Sequence, residues 1–499
     1  MSVDWQEAVL GDIATFSQGL QVPVEEQSLC YEEGLGRFIR IIDYTNEAES
    51  PRYIEKPSER YYASSDDVVM VRYGSQTAGK VVRGKAGYIA NNMFKINLDS
   101  EFIDKGYLYY FLASNEVYDF LRSSQSSSTM PAITFGMLKP IIIRYPSLEL
   151  QRKIASIIDE VEKKIELNRQ TNQTLEHIAQ AIFKNWFVDF EPTRAKIIAK
   201  EKGANTAIQE LAAQAIICGA MTLEQLEAIT QNLETTLQQA INEKLSQANQ
   251  TPINTEQLKT TAALFPNALV ESDGVTNSSG TNLHERSEPE GGGSGTSRLI
   301  PEGWHWSEIG DEVVVAGGGT PSTKKEEFWE GGHIHWTSPK DMSNLTDKIL
   351  LETSRKITDV GLAKISSGLL PENTVLMSSR APVGYLAITK IPVAINQGYI
   401  AMKCEGTLSP EYIVQWAESS MDDIKQRASG TTFAEISKKT FKIIPVVVPS
   451  KEAINAYTLV VAKLYSKITE SLIEIKSLIE IRDSLLPKLL SGELNVSSD

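Results

Sequence analysis

In the stretch RYGSQTAGKVV, residues 72–82, Gly74, Gly79 and Lys80 have the spacing of a nucleotide phosphate loop up to its last position. The last position must carry a hydroxyl to ligate magnesium, and Val81 has none. Such a loop must also open a helix whose N-terminal amides face the phosphates, yet KVVRGKAGYIA reads as strand and turn. A nucleotide site does not fit, and Gly79 is better explained by a tight turn between strands. His333 and His335 in GGHIHW lie at period two, so a strand there puts both on one face where they could ligate a metal. Apart from His305 the neighbourhood offers no third ligand, and a pair of half-exposed imidazoles is the simpler reading. The chain has no Gly-x-Ser-x-Gly elbow and no Pro-Pro for an amine-methylating motif, and GGGTPS at 317–322 lacks dinucleotide-loop spacing. On these residues the sequence looks non-catalytic.

The elements that position them come from a duplication. SSTMPAITFGMLKPIIIRYPS, from residue 127, matches SGTTFAEISKKTFKIIPVVVPS, with Thr129 against Thr432, Ile133 against Ile436 and Pro146 against Pro449, a shift of 303. Gly79 answers to Gly384, Asn92 to Asn396, and Trp5 with Gly11-Asp12 to Trp304 with Gly310-Asp311. Within each copy, β-branched and aromatic runs such as VVMVRY and TVLMSS are bounded by Gly, Pro and Asn, the composition of a strand-rich mixed head. Beyond Pro146 and Pro449 each copy turns helical for about 40 residues, roughly 60 Å at 1.5 Å per residue.

A seam of alternating four- and three-residue steps runs through the first helix as Ile154, Ile158, Val161, Ile165, Asn168, Asn172, Leu175, Ala179, Ile182 and Trp186. In the second it runs through Tyr457, Val461, Leu464, Ile468, Ser471, Ile475, Leu478, Arg482, Leu485 and Leu489. Antiparallel pairing brings Asn172 near Ser471, so that polar groups meet one another, and relates the copies by a pseudo-two-fold axis with a head at each end of the rod. The expected domains are a first head over 1–146, a helix over 147–190, a connector over 191–300, a second head over 301–449 and a helix over 450–492. Within the connector, residues 205–248 read as two helices, the second opening at Thr222 with Gln225 in capping-box position after a stop at Gly219, and 272–298 as a flexible linker.

With 499 residues, 41% of them hydrophobic, the chain can build two or three cores. Three scattered cysteines suit a reducing compartment, and the acidic start MSVDWQEAVLGD is not a secretion signal, so a cytoplasmic location is expected. The net charge of -15 argues against a polyanionic partner only if it is evenly spread. It is not: residues 72–98 hold five bases and no acid, and 121–148 hold Arg122, Lys139 and Arg144 and no acid. A solvated strand face is the ordinary explanation of any one such run.

The repeat, the WxxxxxGD starts, SSRAPVGYLAI with AINQGY, SGTTFAEIS with IIPVVVPS, LEHIAQAIFKNWFVDFEP and RDSLLPKLLSGEL together resemble the specificity subunits (HsdS) of type I restriction-modification enzymes, over residues 1–195 and 300–493. The resemblance implies an α+β fold class: two strand-rich target-recognition domains separated by two long antiparallel coiled-coil helices, a pseudo-two-fold tandem repeat. It implies no active site and no cofactor in this chain, with double-stranded DNA and two methyltransferase (modification) subunits as partners. Restriction subunits would complete the complex, and S-adenosylmethionine, ATP and Mg belong to those partners. The first copy departs from the family in having Ser75-Gln76-Thr77 where the second has Arg380-Ala381-Pro382, and the connector is longer than usual.

On that reading, Lys80, Arg83, Lys85 and Lys95 in the first head and Lys324, Lys340 and Lys390 in the second position phosphates. Arg72, Gln76, Asn91, Arg380, Asn396 and Gln397 read bases, with Ser126, Thr129, Thr431 and Thr432 in support. The aligned pairs Asn92/Asn396 and Thr129/Thr432 equally fit caps of strand turns. Two other classes compete with the DNA-reading subunit: a single-chain nucleic-acid enzyme, and a coiled-coil protein scaffold that binds no DNA.

Overall fold

The computed structural model describes residues 5–46, 49–74, 77–124, 132–247, 254–271, 299–343, 345–430 and 434–494. The chain divides into two compact units, Met1–Asn168 with Ile473–Asp499, and Arg169–Leu472.

In the first unit the head is closed by its own ends, because Gln6–Val9 pairs antiparallel with Ile142–Tyr145. Between them lie two four-stranded sheets. One is ordered Ala14–Gln18, Met93–Leu98, Val68–Val71, Val81–Val82, and the other Arg52–Glu55, Leu35–Ile39, Gly87–Ile89, Tyr62–Ala63. The run VVMV is apolar on both faces because each face has its own core: Val68 and Met70 pack with Phe94 and Ile96, whereas Val69 and Val71 pack with Met93 and Ile89. The helix Lys105–Leu112 opens on Asp104, whose carboxylate accepts from Gly106 and Tyr107 N–H groups. From it, the Tyr107 hydroxyl donates to the Arg144 carbonyl at 2.7 Å, fastening the helix to the closing strand.

The second unit repeats this plan with different lengths. His305–Glu308 pairs with Pro445–Val448, and the sheets have five and three strands. Its central strand Val375–Ser379 again alternates, Val375 and Met377 facing one core and Leu376 the other. The helix Pro410–Ser419 carries Tyr412, whose hydroxyl donates to the Val447 carbonyl at 2.7 Å, the counterpart of Tyr107.

The long helices span Leu148–Phe183 and Lys451–Ser491, the first followed by a wider π turn at Lys184–Val188. In the first unit their segments run antiparallel: Glu162 faces Arg482 (3.8 Å), Lys164 faces Glu474 (3.3 Å), and the Asn168 amide donates to Glu474 (2.8 Å). In the second unit they do so again, Glu176 meeting Tyr465 (3.2 Å) and Phe183 meeting Tyr457 (ring centroids 6.2 Å). Ile154, Ile158, Ile165, Asn168, Asn172, Val461, Leu464, Ile468, Ser471 and Ile475 of the seam are buried, and Val161, Leu175 and Leu478 are half-buried. Burial pushes the Asp347 carboxyl above the usual carboxylate range, opposed by the Thr346 hydroxyl and the Asn172 amide.

The connector departs from the two helices expected over 205–248. Three helices lie there, Thr206–Ile217, Leu223–Ala228 and Leu233–Ser246, flanked by Glu191–Glu201 and Thr255–Ala263. The Thr222/Gln225 capping box forms and Gly219 adopts φ +67 as the stop before it, but Asn232 at φ +54 breaks the second helix. The break lets Leu226 and Leu237, both fully buried, enter the core from separate segments. Lys196 is buried there too; its Nζ donates to the Phe265 carbonyl at 2.6 Å, and burial lowers its pKa. Leu269–Glu271 and Leu299–Pro301 pair antiparallel, and the expected linker over 272–298 lies outside the described residues. Among the described residues no helix is long and apolar enough to cross a membrane.

Candidate nucleic-acid interface

Each head gathers its polar loops at one place, where the central strand ends beside a three-residue loop. In the first head, Arg72 N donates to the Asn92 carbonyl (2.8 Å) and Ile133 N to the Arg72 carbonyl (2.9 Å). In the second, Ser379 N donates to the Gly398 carbonyl (2.8 Å) and Ile436 N to the Ser379 carbonyl (3.1 Å). Arg72 is therefore equivalent to Ser379. Tyr73 is equivalent to Arg380, since Tyr73 bridges Ala132 as Arg380 bridges Glu435. The loops that follow Ile89 and Ile395 are equally long, so Asn91 stands opposite Gln397 and Asn92 opposite Gly398.

This corrects the pairing of Asn92 with Asn396 and of Ser75-Gln76-Thr77 with Arg380-Ala381-Pro382. Loops of different length between the strands shift the register, and identical letters two residues off mask it. Asn396 does serve a turn, its Oδ1 accepting from Gly398 N at 2.8 Å. Gly79 and Gly384 both have positive φ, +89 and +110, but Gly384 lies inside the strand Val383–Thr389 and not in a turn between strands.

The expected phosphate contacts fall into two groups. Lys80, Lys324 and Lys340 are exposed, and none has an ion-pair partner among the described residues. Arg83, by contrast, is committed inside the first unit: it pairs with Asp159, donates to the Tyr110 hydroxyl (2.9 Å) and lies over the Tyr109 ring (4.1 Å). Lys95 donates to the Tyr62 carbonyl (2.6 Å) with Asp67 at 3.7 Å, and Lys390 donates to Asn373 (2.7 Å). Lys85 stands over the Tyr44 ring at 5.6 Å; burial, then the Asp43 charge, pushes the Tyr44 hydroxyl up to about 12. The sequence does not show this partner, because a base in an acid-free run reveals nothing of an acid 76 positions away.

Among the expected base readers, Arg72 lies over the Tyr73 ring at 4.8 Å, Asn91 donates to Gln21 (3.3 Å), and Gln397 accepts from Thr320 (2.7 Å). Gln76, Ser126, Thr129, Thr431 and Thr432 lie outside the described residues.

In the second head, Lys340, Arg380 and Asn396 converge on a concavity of about 410 Å³, with Ser338, Tyr385 and Gly398 completing its wall. Its frame is rigid. The buried Ser378 hydroxyl donates to the Pro382 carbonyl and accepts from Tyr385 N, each at 2.8 Å, stapling the turn that carries Arg380. Ala381 in that turn is held at φ +56, a left-handed conformation costing a non-glycine residue about 1 kcal/mol. Behind Ser338, burial tends to raise the Asp341 carboxyl, but hydrogen bonds from Ser354 and Ser338 hold it below the usual range. Ser338, Tyr385 and Glu435 escaped sequence reading because they come from separate segments; Tyr385 and Glu435 lie within the quoted SSRAPVGYLAI and SGTTFAEIS motifs, and Ser338 had no signal.

His335 is engaged by Thr353 (3.0 Å) and His333 by Asp359 (3.7 Å), and no group of metal-ligating residues occurs among the described residues.

The type I restriction modification DNA specificity domain matches residues 2–177 and again 301–480, the two heads with their helices. The chain belongs to that family. As a specificity subunit it is 32% identical over 413 residues to the type I restriction enzyme HindI specificity subunit of Haemophilus influenzae, covering 82% of this chain and 81% of that one. It is 36% identical over 155 residues to the MjaIX specificity subunit of Methanocaldococcus jannaschii, covering 31% and 36%. Among solved structures, the S subunit of a type I restriction-modification system from M. genitalium shares the fold, with a TM-score of 0.52 at 14% identity over 98% of this chain and 96% of that one.

Proposed function

We propose that this specificity subunit reads DNA for a type I restriction-modification complex, each head taking one half of a bipartite, asymmetric site. The long helices set the spacing and dock two modification subunits, which carry S-adenosylmethionine and methylate adenine. Restriction subunits, using ATP and Mg, join that core, and the chain contributes recognition and no chemistry of its own. The observation that carries this reading is the repeated loop cluster: the same backbone hydrogen bonds hold it in both heads, while Arg72-Tyr73 in one answers to Ser379-Arg380 in the other. Equal scaffolds with unlike side chains suit two different half-sites. Sequencing methylated adenine in cells that carry this chain with its partner subunits tests the reading. One bipartite, non-palindromic motif is expected; a contiguous or palindromic motif, or none, refutes it.

A further inference from the structure

The surroundings of Arg380 distinguish it from the other two candidate DNA-contacting arginines, Arg72 and Arg83. Arg83 is consumed by Asp159 and Tyr110, and Arg72 lies over Tyr73. Arg380 directly follows Ser379, whose backbone is held by Gly398 and Ile436, and sits in the turn that the Ser378 hydroxyl staples, while its side chain stays 38% exposed at the concavity. Its one ion-pair partner among the described residues is Glu435, at 3.7 Å, and Lys340 lines the same concavity. That distance attracts without forming a hydrogen bond, so the carboxylate orients the guanidinium and leaves its donors unspent.

An arginine fork so aimed has two uses on DNA, a phosphate or the O6/N7 edge of guanine. Glu435 favours the neutral edge for Arg380 and leaves Lys340, on the same concavity, as the cation for a phosphate. A phosphate seated on Arg380 would bring its negative charge beside the carboxylate, where like charges repel, whereas the guanine edge is neutral.

Resting on the functional reading above, we propose that Arg380 reads a guanine in the half-site of the second head through its major-groove edge, with Glu435 as a positioning residue that turns the fork and disfavours phosphate. Lysine keeps the charge but not the fork, so Arg380→Lys separates the two uses.

The test measures binding of the complex assembled with its modification subunits to duplexes in which each base pair of the recognised motif is replaced in turn. The unaltered complex should demand a G·C pair at one position of the second half-site. In Arg380→Lys that demand should relax by roughly 5- to 150-fold at that position alone, with every position of the first half-site read as before. The unaltered first half-site also certifies that the variant is folded. Glu435→Gln should weaken discrimination at the same position and no other. Uniform weakening across all duplexes, relaxation at an A·T pair, or no change overturns the assignment. A complex that selects no bipartite site refutes the functional reading first, and this assignment with it.

Discussion

Lys348 offers the sharpest measure of how the second head is fastened to the long helices of its own unit. Its Nζ donates to Glu176 Oε1 at 2.7 Å, and the same oxygen accepts from Gln415 Nε2 at 3.0 Å and Tyr465 OH at 3.2 Å. The side chains of Lys348 and Glu176 are only 17% and 14% exposed, so solvent screens the pair little. Removing one partner of a buried pair costs about 3–5 kcal/mol. In Lys348→Met the two remaining donors still serve Glu176 and should return about 1–2 kcal/mol. The expected net loss is therefore about 1–4 kcal/mol, which accelerates exchange through unit opening by roughly 5- to 900-fold. Hydrogen exchange read by mass spectrometry should show this at amides of Pro410–Ser419 and of the adjoining helix near Tyr465, with the first unit unchanged. Glu176→Gln completes a double-mutant cycle in which a coupling above about 1.5 kcal/mol is expected. A single-variant effect below about 0.5 kcal/mol, or additive variants, would show that Lys348 and Glu176 are merely adjacent.

Tyr107→Phe and Tyr412→Phe each strip a hydroxyl from a closing-strand carbonyl and should cost about 1–2 kcal/mol apiece, read as lowered urea midpoints; a large effect in one head and none in the other refutes their equivalence. Lys80→Ala should flatten the slope of log affinity against log salt by about 0.9, whereas Arg83→Ala should leave that slope intact and lower thermal stability instead. The reverse pattern would return Arg83 to the DNA surface. Asp341 titrates below its ordinary value in the fold, so its stabilising contribution is present above the unfolded pKa of about 3.9 and is lost as pH falls through the lower folded value. Asp341→Asn should thus lose less stability between pH 4 and pH 2 than the parent in acid-unfolding curves; identical curves refute the assignment.

Much of the architecture was legible because duplication is visible without any structure. Ile133 and Ile436, or Pro146 and Pro449, align letter by letter, and the long helices announce themselves through a seam that keeps its four- and three-residue steps across the polar positions at its middle. What was hidden depends on distance. The acid-free run containing Arg83 and Lys95 looks like open basic surface until Asp159 and Asp67 arrive from other elements. The break between Ala228 and Leu233 does carry a local signal that the two-helix expectation passed over, since Asn232 at φ +54 is one of the few non-glycine residue types that readily turn left-handed. The register error at Asn396 has a third cause: a short polar loop has no periodicity to check an alignment against, whereas its hydrogen bonds do.

The closing strand pairs carry a consequence for ancestry. Gln6–Val9 lies against Ile142–Tyr145, and His305–Glu308 against Pro445–Val448, so the chain enters and leaves each head through neighbouring points. A genetic crossover at those points would transplant a whole head as a cassette, carrying its own sheets and severing few backbone hydrogen bonds. New binding specificities could then arise by shuffling intact parts, with no need to rebuild the helices that receive them.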